Sequence, residues 1–319
     1  MTDNRPSPPA TPDQPSRLAG AVWGHLVGDA VGVPYEFRHA SEIREVRFGA
    51  RGTHGQPPGT WSDDGALMLA LLDSLLTAGF DTADQGRRAL AWWHDRAYTP
   101  DRDGAFDIGN ATRTALEALE RGVPAEQAGP SDGRSCGNGS LMRILPIALV
   151  DPEVDPAERV GRAHRASRVT HGHPRPQVAC ALYVLIARAL LDGAATRLDA
   201  MIGATLTLQS VYKRDGSADH AAALEHLLAW EQRDGRGRVW DSFWSAWDAF
   251  AGADSYAQTI ERAVRYGNDT DTTAAIAGGL AGAWWGIGGI PANWLAGMRG
   301  RDIVDPLVER LIAAGQHRR

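Results

Sequence analysis

Gly267-Asn268-Asp269-Thr270-Asp271-Thr272-Thr273 runs directly into Ala274-Ala275-Ile276-Ala277-Gly278-Gly279-Leu280-Ala281-Gly282-Ala283-Trp284-Trp285-Gly286. Asparagine, aspartate and threonine oxygens cap helix starts, and carboxylates favour the positive end of the helix dipole. The first seven residues therefore open a helix and the rest form its apolar body. The uncharged run continues to Met298, long enough to span a bilayer. It nevertheless holds seven glycines, is interrupted by Pro291 and Asn293, and starts directly after two aspartates. It reads as a buried core helix followed by a turn. Gly278, Gly282 and Gly286 are spaced by four, and so are Gly20, Gly24, Gly28 and Gly32 near the other end of the chain. Glycine inside a helix costs about 1 kcal/mol relative to alanine, and its missing side chain lets another backbone or a ligand come close. Tight helix packing accounts for both stripes. The two helices can also form the floor of one site.

Working outward, apolar residues recur at helical spacing from Leu18 onward. Helices are expected near 17–31, 62–79, 84–97, 108–121, 140–150, 156–169, 174–193, 197–211, 219–232, 240–251, 256–265, 271–286 and 301–315. Only Arg44 to Phe48 suggests a strand. Residues 1–16, rich in Pro, Ser, Thr and Asp, read as a flexible tail, and 17–319 as a single all-α domain. Of 319 residues, 43% are hydrophobic and 23% charged, which excludes disorder as the main state. The net charge of −6 argues against a partner that needs a broad basic surface, so a nucleic acid enters only as a modified substrate. Cys136 and Cys180 make no disulfide framework, and no charged-then-apolar leader opens the chain. A cytoplasmic monomer is expected. Only Lys213 among 33 basic residues is a lysine, which genome composition explains; the acids are 27 aspartates against 12 glutamates. Aspartate serves both helix starts and hard metal sites.

Six segments concentrate candidate chemistry. Trp61-Ser62-Asp63-Asp64-Gly65 sets two acids in the first turn of a helix that Ser62 can cap. Asp269 and Asp271 repeat the arrangement. One cap needs one acid, so two acid pairs ask for a shared cation. Their oxygens, with no Cys or His, suit Mg²⁺ or Mn²⁺, and four carboxylates can hold two such ions. Gly137-Asn138-Gly139-Ser140-Leu141-Met142-Arg143 can offer backbone N–H groups to a phosphate, or form an ordinary turn. Arg143 either adds a charged contact or pairs with an acid in the core. Phe106-Asp107-Ile108-Gly109 places another acid at a helix start. Thr170-His171-Gly172-His173-Pro174 invites a metal reading, but Pro174 fits a helix start equally well. Gly28-Asp29-Ala30-Val31-Gly32-Val33-Pro34-Tyr35-Glu36-Phe37 ends in an acid that is either a plain loop residue or a mobile group beside the site.

In this order, the six segments resemble the ADP-ribosylglycohydrolase family from about Leu18 to Leu311. The resemblance implies an all-α orthogonal helical domain with a binuclear Mg²⁺ or Mn²⁺ centre. By position the metal ligands are Ser62, Asp63, Asp64, Asp269, Asp271 and Thr272. Ser62 stands where the family usually has threonine, and either supplies a hydroxyl. The Gly137–Arg143 loop, with Asn138, Gly139, Ser140, Met142 and Arg143, and His171 are implied to contact the phosphates and the adjoining ribose. Asp107, with Gly109 beside it, faces the group on the distal ribose. The implied partner is an ADP-ribosylated protein or an ADP-ribose derivative, and the implied reaction is hydrolysis at C1 of the distal ribose. Asp63 or Asp64 would orient or deprotonate water, and Glu36 or Asp107 would assist the leaving group. Arginine-linked mono-ADP-ribose is the first expectation. Serine, a nucleic-acid base, a small-molecule derivative, or a non-catalytic binder or immunity protein on the same fold are the alternatives. The Asp-x-Asp-x-Thr pattern at Asp269 also fits dehalogenase-type phosphatases. That motif needs a hydrophobic strand before it, whereas the preceding Ala263–Asn268 is short and polar.

Overall fold

The structure, a computed structural model, describes residues 11–102 and 104–316. Helix accounts for 66% of it, and no strand occurs among the described residues, so the all-α class holds. The helices are α1 (Gln14–Gly32), α2 (Asp63–Ala78), α3 (Thr82–Asp95), α4 (Asn110–Glu120), α5 (Ala125–Ala128), α6 (Pro146–Leu149), α7 (Pro156–Arg168) and α8 (Pro174–Leu191). They continue with α9 (Arg197–Asp215), α10 (Ala218–Leu228), α11 (Val239–Ala251), α12 (Tyr256–Arg265), α13 (Thr270–Trp285), α14 (Ala292–Gly297) and α15 (Arg301–Gln316). Many starts are capped by side chains. Asp13, Asp81 and Asp155 accept from backbone N–H groups of α1, α3 and α7. Those aspartates belong to the ordinary share of the acid excess.

The antiparallel pair α1 and α13 forms the centre, and both are buried along most of their length. Their glycine stripes face each other. A Cβ on Gly24 would lie 2.5 Å from Gly278 O, and one on Gly20, Gly28, Gly32 or Gly282 would also strike the opposite backbone. The backbones therefore touch without side chains between them. Tyr256 Oη donates to Gly24 O at 2.5 Å and Tyr183 Oη to Ile276 O at 3.1 Å, tying α12 and α8 to this pair. Arg17 is buried and donates to Leu190 O and Ala283 O at 3.0 and 3.1 Å. Because the helices run antiparallel, the end of α1 meets the start of α13, where Thr270 Oγ1 donates to Gly32 O at 2.8 Å.

Three expectations change and one holds. The helix expected over 140–150 is a run of turns followed by the four-residue α6. Pro146 has no N–H to donate back to Met142 O, so a helix begun at 140 loses that bond, and regular helix starts only at Pro146, where a proline fits the first position. Arg44–Phe48 is irregular; with no neighbouring strand its alternation has nothing to pair with. The tail expected over 1–16 lies outside the described residues over 1–10, whereas Gln14, Pro15 and Ser16 form the first turn of α1. The uncharged run to Met298 is α13, a 3₁₀ turn and α14, and no described helix is long and apolar enough to cross a membrane.

Replacing Gly282 by alanine is expected to destabilise the protein by about 3 kcal/mol, the upper end of overpacking penalties, because the opposing atoms are backbone. Gly203→Ala, at an open position in α9, should be neutral or stabilising by up to about 1 kcal/mol. Urea unfolding of both variants checks the contrast.

Candidate functional site

Three helix ends converge. Asp29, in the last turn of α1, accepts from the backbone N–H of Ser62 at 2.9 and 3.1 Å and of Gly65 at 2.8 Å, so it fixes the start of α2. Ser62 Oγ accepts from Asp64 N. Ser62 Oγ and Thr272 Oγ1 both donate to Asp64 Oδ2, each at 3.2 Å, joining α2 to α13. Asp269 sits at the start of α13 without capping it; its Oδ2 instead accepts from Asn138 Nδ2 at 2.8 Å. The six residues implied as metal ligands are thus brought together, all of them buried or lining one cleft.

Packing so many carboxylates into one buried place raises the free energy of their charged forms. Burial, reinforced by the neighbouring acids, holds Asp63, Asp64 and Asp271 well above the usual carboxylate range, and burial alone raises Asp269 against the hydrogen bonds it accepts. Burial raises Asp29 to about 7. Burial, then Asp107, Asp269 and Asp64, push Glu36 up to about 10. Asp107 is raised to about 7 by burial and Asp269.

The donor chemistry fits a hard divalent cation. Asp64 Oδ1 and Asp271 Oδ2, on different helices, are buried without a hydrogen-bond partner. Buried acceptors are rarely left so, and hydroxyl and carboxylate oxygens without thiolate are the donor set of Mg²⁺ or Mn²⁺. Glu36, His54, Asp107 and Asp271 also each bring a potential ligand atom within 4.8 Å of the others.

Above this floor opens a cleft of about 640 Å³. Glu36, Asp63, Asp64, Asp107, Gly109, Asn138, Gly139, Met142, His171, Asp269 and Thr272 line it. Asp107 has φ +62°, and Phe37 and Asn268 beside the cleft have φ +63° and +59°, a strained conformation for non-glycine residues that gathers at functional sites. Glu36 is 3% exposed, and the segment around it is tied down: Phe37 N donates to Asn268 O and Asn268 N to Arg38 O, at 2.6 and 2.7 Å. The 137–139 loop lies against the segment before α11, with Asn138 N donating to Gly237 O at 3.2 Å. Only glycine fits at 139, since a Cβ would stand 2.8 Å from the His171 ring. Burial and then Arg143 lower His171 to about 3, so its ring is neutral.

Ser140 and Arg143 do not meet the expectation of cleft contacts. Ser140 Oγ accepts from Ser167 Oγ at 2.9 Å in the core. Arg143 turns behind the loop and donates to Gly139 O and Ala166 O at 2.6 and 3.0 Å. Four residues along from Gly139, it braces the loop carbonyl rather than facing a ligand, and it finds no acid to pair with there. The two histidines diverge as well: His173 Nδ1 caps α8 by accepting from Arg175 N, and only His171 reaches the cleft. Three residues had no assigned role in the sequence reading. Asp29 stood inside a quoted motif, one residue from the glycine stripe. Arg134, which lines the cleft, and His54, which is hydrogen-bonded to Glu36, lay in expected loops, where no local pattern marks them.

Two outcomes follow from this geometry. Asp271→Asn should weaken Mn²⁺ binding measured by calorimetry while raising the melting temperature of the metal-free protein, because it removes a buried repelling charge. The raised acids also set a pH dependence. In the unfolded chain Asp29 and Asp107 ionise near 3.8; in the fold they hold their protons to about 7. The unfolded state therefore gains ionisation first, and the metal-free protein should lose stability as pH rises from about 4 to about 7. Added Mg²⁺ or Mn²⁺ should restore more stability at the upper end of that window than at the lower, as read by thermal melts.

Residues 10–319 match the model of the ADP-ribosylglycohydrolase family. The chain is 29% identical over 306 residues to the ADP-ribosylarginine hydrolase Tri1 of Pseudomonas putida (strain GB-1), covering 94% of this chain and 79% of that protein. It is 28% identical over 298 residues to the ADP-ribosyl-[dinitrogen reductase] glycohydrolase of Rhodospirillum rubrum, covering 89% and 91%. A solved structure described as an ADP-ribosylglycohydrolase-related protein complex superposes with a TM-score of 0.77 at 31% identity, over 95% of this chain and 99% of that one. The match covers nearly the whole length, and the chain belongs to the ADP-ribosylglycohydrolase family of hydrolases.

Proposed function

We propose that the protein releases ADP-ribose from modified protein side chains, with arginine as the linkage and Mg²⁺ or Mn²⁺ as the cofactor. The observation that carries the choice of linkage is Asp107, an acid that lines the cleft above the acidic floor beside Glu36. A planar guanidinium is the side chain best matched to carboxylates, through paired hydrogen bonds. Similarity to a relative described as an ADP-ribosylarginine hydrolase points the same way.

At the other end of the cleft the 137–139 backbone, neutral His171 and Arg134 suit the diphosphate and its ribose, although Asp132 also lines that end. Ser62, Asp63, Asp64, Asp269, Asp271 and Thr272 would hold two ions. When bound, these would supply positive charge to the sugar end of the cleft and make water more acidic. Asp63 or Asp64 orients the attacking water and takes its proton. The water oxygen bonds to C1 of the distal ribose as the C1–N bond breaks. Glu36, protonated at neutral pH, delivers a proton to the departing nitrogen, and Asp107 holds the guanidinium in place.

A release assay tests this reading. The protein is incubated with arginine-, serine- and glutamate-linked ADP-ribosyl substrates in Mg²⁺, Mn²⁺ or EDTA, and free ADP-ribose is measured. Arginine-linked substrate should be turned over fastest, and EDTA should stop turnover. Asp107→Ala should slow arginine-linked turnover more than serine-linked; equal losses would remove Asp107 from the leaving-group role. ADP-ribose binding without release from any substrate would leave a binder on this fold.

A further inference from the structure

Outside the acids and the phosphate-side loop, one side chain bears on the leaving-group end of the cleft and has no assigned role. His54 sits in the loop between the 3₁₀ turn at Ala40–Glu42 and α2. The backbone of that loop is laid on the segment that bears Glu36. Gly52 leaves no room for a side chain, since a Cβ there would meet Pro34 C at 2.6 Å. Thr53 N donates to Pro34 O at 3.3 Å, and Thr53 Oγ1 donates to Glu36 O at 2.6 Å. The next residue, His54, is thereby carried over the Glu36 side chain. Its Nε2 is hydrogen-bonded to Glu36 Oε2 and lies 4.0 Å from Asp107 Oδ1. Its ring is flanked by Phe106, with centroids 5.1 Å apart, and by Phe37, at 5.8 Å. The imidazole is thus fixed by two rings, by its own backbone and by a carboxyl oxygen.

We infer that His54 is a positioning residue: it holds one oxygen of the Glu36 carboxyl so that the other presents its proton to the leaving group. With Nε2–H donating to Oε2, the acidic hydrogen of Glu36 is confined to Oε1, and rotation of the carboxyl is blocked. An acid that must meet a nitrogen leaving from C1 gains from such restraint, since misplacement by about 1 Å costs on the order of 100-fold in rate. Phe37 and Phe106 lie tilted against the imidazole, and the Thr53 bonds tie the segment that bears His54 to the one that bears Glu36.

The inference rests on the reading of Glu36 as the acid, so Glu36→Gln is run beside the His54 variants. The full chain is assayed in Mn²⁺ with whichever linked substrate the wild type turns over, and kcat and KM are separated. Cation affinity and melting temperature are measured for every variant. Glu36→Gln should lose turnover. His54→Leu should lower kcat by about 10- to 100-fold with little change in KM. His54→Gln, whose side-chain amide can donate at the same place, should recover most of kcat. Cation affinity should be unchanged in both His54 variants. Normal kcat in His54→Leu with an inactive Glu36→Gln would overturn the inference and leave the acid reading standing. Equal losses in the Leu and Gln variants would show that ring packing, not the hydrogen bond, matters, and would overturn it as well. A weakened cation in His54→Gln would make His54 a ligand instead. A fully active Glu36→Gln would remove the acid reading and this inference with it.

Discussion

Backbone-to-backbone contact between α1 and α13 is the constraint on which the site depends. Where two helices pack through side chains, a shift of an ångström is absorbed by rotamers. Here Gly20, Gly24 and Gly28 meet Gly282, Gly278 and Ala274 with no side chain between them. The register is then set by atoms that cannot rotate away. That register brings the last turn of α1 against the first turn of α13, so Asp29 can reach the start of α2 and Asp271 can enter the floor. The entropic penalty of a glycine row in two helices is offset by the positional certainty given to the acids.

That certainty works against charge. The fold holds Asp63, Asp64, Asp269 and Asp271 close together with two carboxyl oxygens lacking any partner. A protein selected only for stability would replace such a cluster, since buried unpaired acceptors cost about 1–3 kcal/mol each. Asp29 is different in kind. Both its oxygens accept from backbone N–H groups at the start of α2, so each has a partner and its work is structural. The contrast between Asp29 and Asp64, both buried at one helix start, separates an acid that builds the site from one that serves it.

The sequence made legible whatever local chemistry determines. Helical spacing located nearly all the long helices, and the paired acids at Asp63 and Asp269 marked the floor because helix starts and oxygen donors follow from nearby residues. Failures came where the deciding interaction is distant. Arg143 reads as a cleft cation from its neighbours, but the carbonyl that takes it away, Ala166 O, lies on α7. The helix expected over 140–150 was a misweighted local signal, since Pro146 was visible. His54 is illegible for the opposite reason. Its significance comes from Thr53 and Gly52 lying on the Pro34–Glu36 backbone, a contact between two irregular segments that no periodicity announces.

The cleft's polarity narrows what can enter it. Its floor and one end are acidic, through Asp63, Asp64, Asp269, Glu36 and Asp107, whereas its other end presents Gly137, Asn138, Gly139 and a neutral His171, with the oppositely charged Asp132 and Arg134 also in the lining. A diphosphate alone would be repelled by such a floor. A cation alone would find no use for the N–H-rich loop. Two divalent ions on the floor reverse the local sign, and the Coulomb attraction of a partly buried ion for a nearby anion then exceeds its value in water several-fold. The raised acids make that reversal conditional. With the carboxyls protonated, ions must displace protons to bind, so cation and proton compete for the same oxygens. Glu36 escapes that competition only if something other than an ion occupies one of its oxygens. On the proposed reading, a hydrogen bond from His54 would do so without adding charge, and would let Glu36 remain an acid beside the carboxylates of the floor.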